Sequence, residues 1–228
     1  MTGGCTQAGS MCCVSASRSP SVLRLIKQPK TGVAIWQRPP RPALREAVAG
    51  LLALAPFSQV SEGHPALVLR AWSTVLPASS RKLLSDVLLL GRLFSAITKI
   101  DTVRFRLERL TNNSCRQFHV DGVGLRLLCT YAGPGTEWLD TTGELHRMET
   151  GEVAIFKGAA YAGEAERVSH RSPPVEHLAP EHRGRLLLCV DEPGRFPIFP
   201  VPDRGAGSMA RNLLAASPEA NTPTQKPG

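Results

Sequence analysis

The sequence predicts a mainly β protein with N-terminal helices, of the double-stranded β-helix (jelly-roll, cupin-like) class. Three observations carry that expectation. Helical periodicity is confined to residues 42–100, and the chain switches to period-two alternation of apolar and charged residues over 102–110. From there short apolar strands recur between turn residues such as Gly133-Pro134-Gly135, Thr142-Gly143 and Gly163. Short strands at this spacing build antiparallel sandwiches and barrels. At 228 residues, 42% of them hydrophobic, the chain suffices for one sizeable core with appendages.

The first segment, residues 1–41, reads as a basic disordered leader. It holds Arg18, Arg24, Lys27, Lys30, Arg38 and Arg41, Arg45 follows, and no acid precedes Glu46. The net charge of +8 is therefore concentrated at this end, because the remainder is almost neutral. The Ser, Gly, Pro and Arg content fits a disordered leader or a start at Met11. It also resembles a transit peptide, with a short amphipathic stretch over 22–27. No run is apolar enough for a secretory signal or a membrane span, since residues 83–94 are interrupted by Asp86 and Arg92. A cytoplasmic protein with no membrane partner is expected. The neutral body and 5% aromatic content give no surface for specific nucleic-acid binding.

Residues 42–100 are expected to be a helical segment packed on the core. Pro42 opens a run of helix formers that stops before Pro56, and residues 64–76 and 79–98 follow with spacings of three and four. The β-helix domain is placed at 101–202. Its strands are expected at 102–110, 118–121, 125–131, 137–139, 152–157, 167–171 and 185–191. A disordered tail, rich in Gly, Ser, Ala and Pro, is expected over 203–228. Six cysteines without a C-x-x-C read as reduced thiols, and Cys129 and Cys189, inside apolar strands, as core.

Candidate chemistry centres on three residues. His119 and Asp121 stand two apart on an extended segment, so alternation points both side chains the same way. His170 lies far downstream, and Arg185 opens an apolar strand after it. Two imidazoles and one carboxylate are the facial set that holds Fe(II) and leaves coordination positions open. The bland reading of each stands beside this one: satisfied core histidines, and Asp121 capping a turn before Gly122. Arg126 and Arg171 read equally as supports of the site or as solvated strand residues, and Trp138 as core. His64, His146, His177 and His182 read as surface, with His177, His182, Glu176 and Glu181 a remote second metal patch. No Gly-Lys-Ser/Thr phosphate loop and no G-x-S-x-G elbow are present.

The order of these motifs resembles the Fe(II)- and 2-oxoglutarate-dependent dioxygenases of the prolyl-hydroxylase-like branch. There the first two ligands precede an apolar strand ending in Tyr, a G-x-x-x-x-F strand, the second His and a basic residue heading the last strand. Here these are residues 125–131, 151–156, His170 and Arg185. The motifs F-H-x-D, L-R-L-L-C-T-Y-x-G-P-G-T-x-W, K-G and H-R-S-P-P also resemble an uncharacterised bacterial domain family of unknown function. Its relatives are associated with zinc-responsive genes and metallochaperone GTPases, which implies such GTPases as partners.

The resemblance implies that His119, Asp121 and His170 bind iron and act as the catalytic set. It implies that Arg185 anchors the distal carboxylate of 2-oxoglutarate and that Tyr131 donates to it, with Arg183 and then Lys157 as rival anchors. The interval from His170 to Arg185, with Pro173, Pro174 and Pro180, is longer than that branch usually has, and Gly133-Pro134-Gly135 replaces its Gly-Gly. Two other functions stay open: a non-catalytic cupin-like metal binder in zinc homeostasis, with Zn as the metal, and a helical interaction module on a β scaffold. Arg185 separates the first two, since an anchor must project into the interior rather than to solvent.

Overall fold

The computed structural model describes residues 13–112, 115–179, 182–194 and 198–200. In chain order the elements are β1 (Val14–Ser17), β2 (Val33–Trp36), α1 (Arg45–Leu52), β3 (Phe57–Gly63), α2 (Pro65–Val75), α3 (Arg81–Thr98), β4 (Val103–Leu110), β5 (His119–Asp121), β6 (Leu125–Ala132), β7 (Glu137–Leu139), β8 (Leu145–Arg147), β9 (Val153–Lys157), β10 (His170–Arg171), β11 (Arg185–Asp191) and β12 (Ile198–Pro200). Short 3-10 turns occupy Pro20–Lys27, Pro42–Leu44 and Ala78–Ser80. A larger sheet runs β1-β2-β9-β6-β11-β4-β3 and a smaller one β12-β5-β10-β7-β8. Every strand pair is antiparallel except β1 with β2.

Local chemistry explains the helices. In α2, Pro65 sits at the first turn, where its missing N–H costs nothing, and the Ala66 N–H donates to His64 Nδ1 at 3.3 Å. α3 stops at Lys99, which takes a left-handed φ of 65°. The inner face of α3, with Leu83, Val87, Leu90 and Phe94, packs on the larger sheet against Phe105, Leu127 and Leu188. Each such side chain contributes about 1.5–3 kcal/mol on burial.

Alternation along β6 divides the interior into two layers. Leu127, Cys129 and Tyr131 join the helix-facing core, whereas Leu128 joins Phe156, Leu187, Cys189 and Trp138 between the sheets. The expectation of N-terminal helices on two facing β-sheets therefore holds.

Three expectations are corrected. The leader is not disordered from residue 13 onward: β1 and β2 extend the larger sheet, and Val33, Ala34 and Ile35 are buried. Its charge is also partly structural, since the buried Arg38 donates to Asp86 in α3 at 2.9 and 2.8 Å. The segment 42–100 is not wholly helical, because Phe57–Gly63 forms the edge strand beside β4. β8 and β12 appear where no strand was expected. Residues 201–228 lie outside the described residues, so the expected tail falls there. No helix among the described residues is long and apolar enough to cross a membrane.

Candidate metal centre

The candidate centre forms where β5 and β10 pair in the smaller sheet. His170 is registered directly opposite His119 on one side and opposite Trp138 on the other. His119 and Asp121 lie two residues apart and so share a face. Their ligand atoms and that of His170 all fall within 4.8 Å of one another, and the three side chains are buried. The His119 and His170 rings are 4.8 Å apart between centroids, and Phe156 from β9 lies 4.5 Å from the His170 ring. Backbone joins hold the pair of strands in place. The Ser172 N–H donates to Cys115 O at 3.0 Å, and Ala159 N–H to Asp121 O at 2.7 Å. Gly158 lies so close to β5 that a Cβ there would sit 2.6 Å from the Asp121 carbonyl oxygen.

The donor atoms are pre-oriented. His119 Nδ1 lies 2.9 Å from Gln117 O, and when that nitrogen donates, Nε2 keeps its lone pair toward the cluster. His119 Nε2 is 3.6 Å from Asp121 Oδ1, and His170 Nε2 is 3.1 Å from Asp121 Oδ2. Burial favours the neutral carboxyl of Asp121. The His119 and His170 imidazoles and the charge of Arg126 outweigh it, so Asp121 stays ionised well below the usual carboxylate range. Arg126 bridges Asp121 to Asp191 of β11, donating to the second through Nε at 2.9 Å and also through Nη2. The contact of Asp121 Oδ2 with His170 Nε2 is not a formed hydrogen bond, and His170 Nδ1, on the far side of the ring, is buried and unpaired.

Asp121 Oδ2 lies against His170 Nε2 without a hydrogen bond, and a cation between the two would satisfy both. Two imidazoles and one carboxylate suit a divalent transition metal, with coordination positions left over. The residues present fit such an ion.

Arg185 enters the same layer from the start of β11. Side chains at 185, 187, 189 and 191 share one face, the face toward the smaller sheet. Arg185 is 2% exposed, donates from Nε to Pro134 O and from Nη1 to Ser172 Oγ, each at 2.8 Å, and leaves Nη2 buried and unpaired. Burial with no acid in direct contact lowers its pKa to about 10. Gly133, with φ of +78°, makes room for it: a Cβ there would stand 2.9 Å from Arg185 Cγ. Arg183 donates to Leu178 O, and Lys157 donates to Gln28 O at 2.6 Å, so both rival anchors are engaged in holding loops.

Tyr131 is the residue that sequence reasoning misplaced. It faces the helices, where its hydroxyl donates to Asp86 Oδ2 at 2.8 Å, and cannot reach an occupant between the sheets. Its offset from Leu127 and Cys129 already placed it with those helix-facing residues. Arg126, open to either reading from sequence, is mostly enclosed in the site, with 11% of its side chain exposed, and Asp191 and Ser172 were missed. Their signal was parity with Cys189 and with His170. Trp138 is core and stacks on His146 at 4.3 Å. Asp140, Glu144 and His146 form a second donor group, half-buried except for the exposed Glu144, with His146 bonded to Asp140. Of the expected remote patch, Glu181 lies outside the described residues. Cys129 and Cys189 are free and buried, as expected.

The family model described as a protein of unknown function (DUF1826) matches residues 17–191. This chain belongs to that family. No curated protein matches its sequence. Among solved structures, this DUF1826 chain is similar to the dioxygenase for auxin oxidation 1 from Arabidopsis thaliana in its 2-oxoglutarate complex. The identity is 12% and the TM-score 0.50, over 80% of this chain and 92% of that one. A prolyl-4-hydroxylase from Pseudomonas putida is 14% identical with a TM-score of 0.44, over 76% and 98%. At 12% identity the first likeness speaks to the fold alone, and the fold of this DUF1826 member is the expected double-stranded β-helix.

Proposed function

We propose that this protein is an Fe(II)- and 2-oxoglutarate-dependent oxygenase, with the metal held by His119, Asp121 and His170. The observation that carries the reading is Arg185: a fully buried guanidinium with one unpaired nitrogen, tied to Ser172, two residues after His170. An interior cation without an acid is costly unless an anion joins it. A planar carboxylate suits that guanidinium, as the distal carboxylate of 2-oxoglutarate would.

Bound Fe(II), with 2-oxoglutarate and dioxygen, supplies the oxidising chemistry, and the protein supplies position and a dry site. His119 presents Nε2 because Gln117 O fixes its other nitrogen. Arg126 holds the Asp121 carboxylate at a set orientation and keeps it ionised. Phe156 and the apolar layer around Leu128 and Cys189 exclude water from the back of the site. Pro134, in the turn after β6, accepts from Arg185 Nε and so also holds the fork in place.

Anaerobic addition of Fe(II) and then 2-oxoglutarate tests the reading. A visible charge-transfer band, followed in air by succinate release that His119→Ala abolishes, is the expected result. Tight zinc uptake without either signal would reject the oxygenase and leave a non-catalytic metal binder.

A further inference from the structure

A cavity opens on the helix-facing side of the larger sheet, and none of the metal-centre residues lines it. It measures about 290 Å³ and lies between α1, the strap of residues 38–42 and the helix-facing side of β6. Leu44, Val48 and Leu52 give it aliphatic walls, and the buried Tyr131 lines it from β6. Three arginines, Arg38, Arg41 and Arg45, line it, and no acid does.

The charges beside it do not cancel. Asp86 is the nearby carboxylate, and it accepts from Arg38 at 2.9 and 2.8 Å, from Arg41 at 2.7 Å and from Tyr131 at 2.8 Å. One negative charge thus serves two guanidiniums. Arg41 spends only Nη1 on that contact, and its side chain is 51% exposed. Arg45 lines the cavity with no hydrogen bond or ion pair among the described residues. The mouth therefore offers unspent donors and an excess of positive charge above an aliphatic chamber.

We propose that this cavity binds a small organic monoanion with an aliphatic body, of the short-chain carboxylate class. A neutral aliphatic molecule would bury guanidinium donors without partners, and an inorganic anion would leave the apolar walls in contact with water. A carboxylate on an alkyl chain satisfies both, with its head on Arg41 and Arg45 and its chain between Val48 and Leu52. The volume lies at the low end for ligand pockets, which limits the occupant to a short chain.

Titration calorimetry on the full chain, with hexanoate and hexan-1-ol as probes, tests this. One hexanoate per chain is expected, with the alcohol at least about tenfold weaker and Arg41→Ala weakening hexanoate by about tenfold. Ala49→Phe, which fills the chamber from α1, is expected to abolish binding with its urea midpoint unchanged. Should that variant not fold, Arg45→Glu decides, since its side chain supports no other contact, and the same loss is expected. Absence of saturable heat, equal binding of the alcohol, or full binding in Arg45→Glu or in folded Ala49→Phe would overturn the proposal. The last two outcomes place the carboxylate elsewhere, at Arg185 above all.

Discussion

Arg185 Nη1 donates to Ser172 Oγ at 2.8 Å, two residues beyond His170 and one past the end of β10, so the buried guanidinium is tied to the chain that carries the second imidazole. Only one residue separates Ser172 from His170, and the Ser172 N–H is itself held by Cys115 O at 3.0 Å.

Arg185→Gln is expected to weaken 2-oxoglutarate binding by about 2 kcal/mol or more, roughly thirtyfold, while leaving metal affinity nearly unchanged. Anaerobic calorimetry with the metal-loaded protein separates the two effects. Equal 2-oxoglutarate affinity in variant and parent would remove Arg185 from the site.

Arg126→Ala leaves Asp121 and Asp191 as two buried carboxylates without their shared cation. A loss of about 3–5 kcal/mol in unfolding free energy is expected, measured by urea denaturation of the metal-free protein. A loss under 1 kcal/mol would mean that solvent reaches these groups.

Tyr131→Phe removes only the hydroxyl that donates to Asp86. It is expected to cost about 1–2 kcal/mol of stability and to leave 2-oxoglutarate affinity unaltered. A large fall in that affinity would place the hydroxyl between the sheets after all.

Asp86 gives a pH dependence of known sign. Burial raises its carboxyl pKa, but Arg38, Tyr131 and Arg41 outweigh that and hold it below the ordinary carboxylate value. A depressed folded-state pKa stabilises the protein above the unfolded value of about 3.9. That contribution is lost as pH falls through about 4 toward the lower folded value. Urea midpoints of the parent and Asp86→Asn are therefore expected to differ widely at pH 6 and to converge below pH 4. A constant gap across that range would show that Asp86 does not titrate in this window.

A chain beginning at Pro42 lacks β1, β2 and Arg38. It uncovers β9 and strips three buried side chains, Val33, Ala34 and Ile35, from the larger sheet. Gross destabilisation or failure to fold is expected by circular dichroism, while a chain beginning at Met11 is expected to melt like the parent. A stable, cooperatively folded Pro42 chain would return residues 13–41 to the status of a dispensable leader.

The residues read best from sequence were those whose chemistry and parity agree. His119 and Asp121 alternate onto one face, and Arg185 shares parity with Cys189. At Tyr131 the order of motifs and the parity along β6 point to opposite faces, and parity decides. Arg126 has the parity of Leu128, yet only the smaller sheet above it turns that parity into burial. β3 reads as Phe-Ser-Gln-Val-Ser-Glu-Gly, polar enough for a loop, because an edge strand needs little apolar surface. β1 and β2 were illegible for another reason: each is four residues long, and composition rather than periodicity dominated the reading.

The N-terminal placement of β2 also bears on how the molecule comes to be made. Val33 is paired with Phe156, the residue whose ring backs His170, so their union spans more than a hundred residues. During translation the early strand, with only β1 beside it, must wait until that late partner has left the ribosome. The imidazole pocket is thus a product of the nearly finished polypeptide, and pairing so distant in sequence predicts slow maturation.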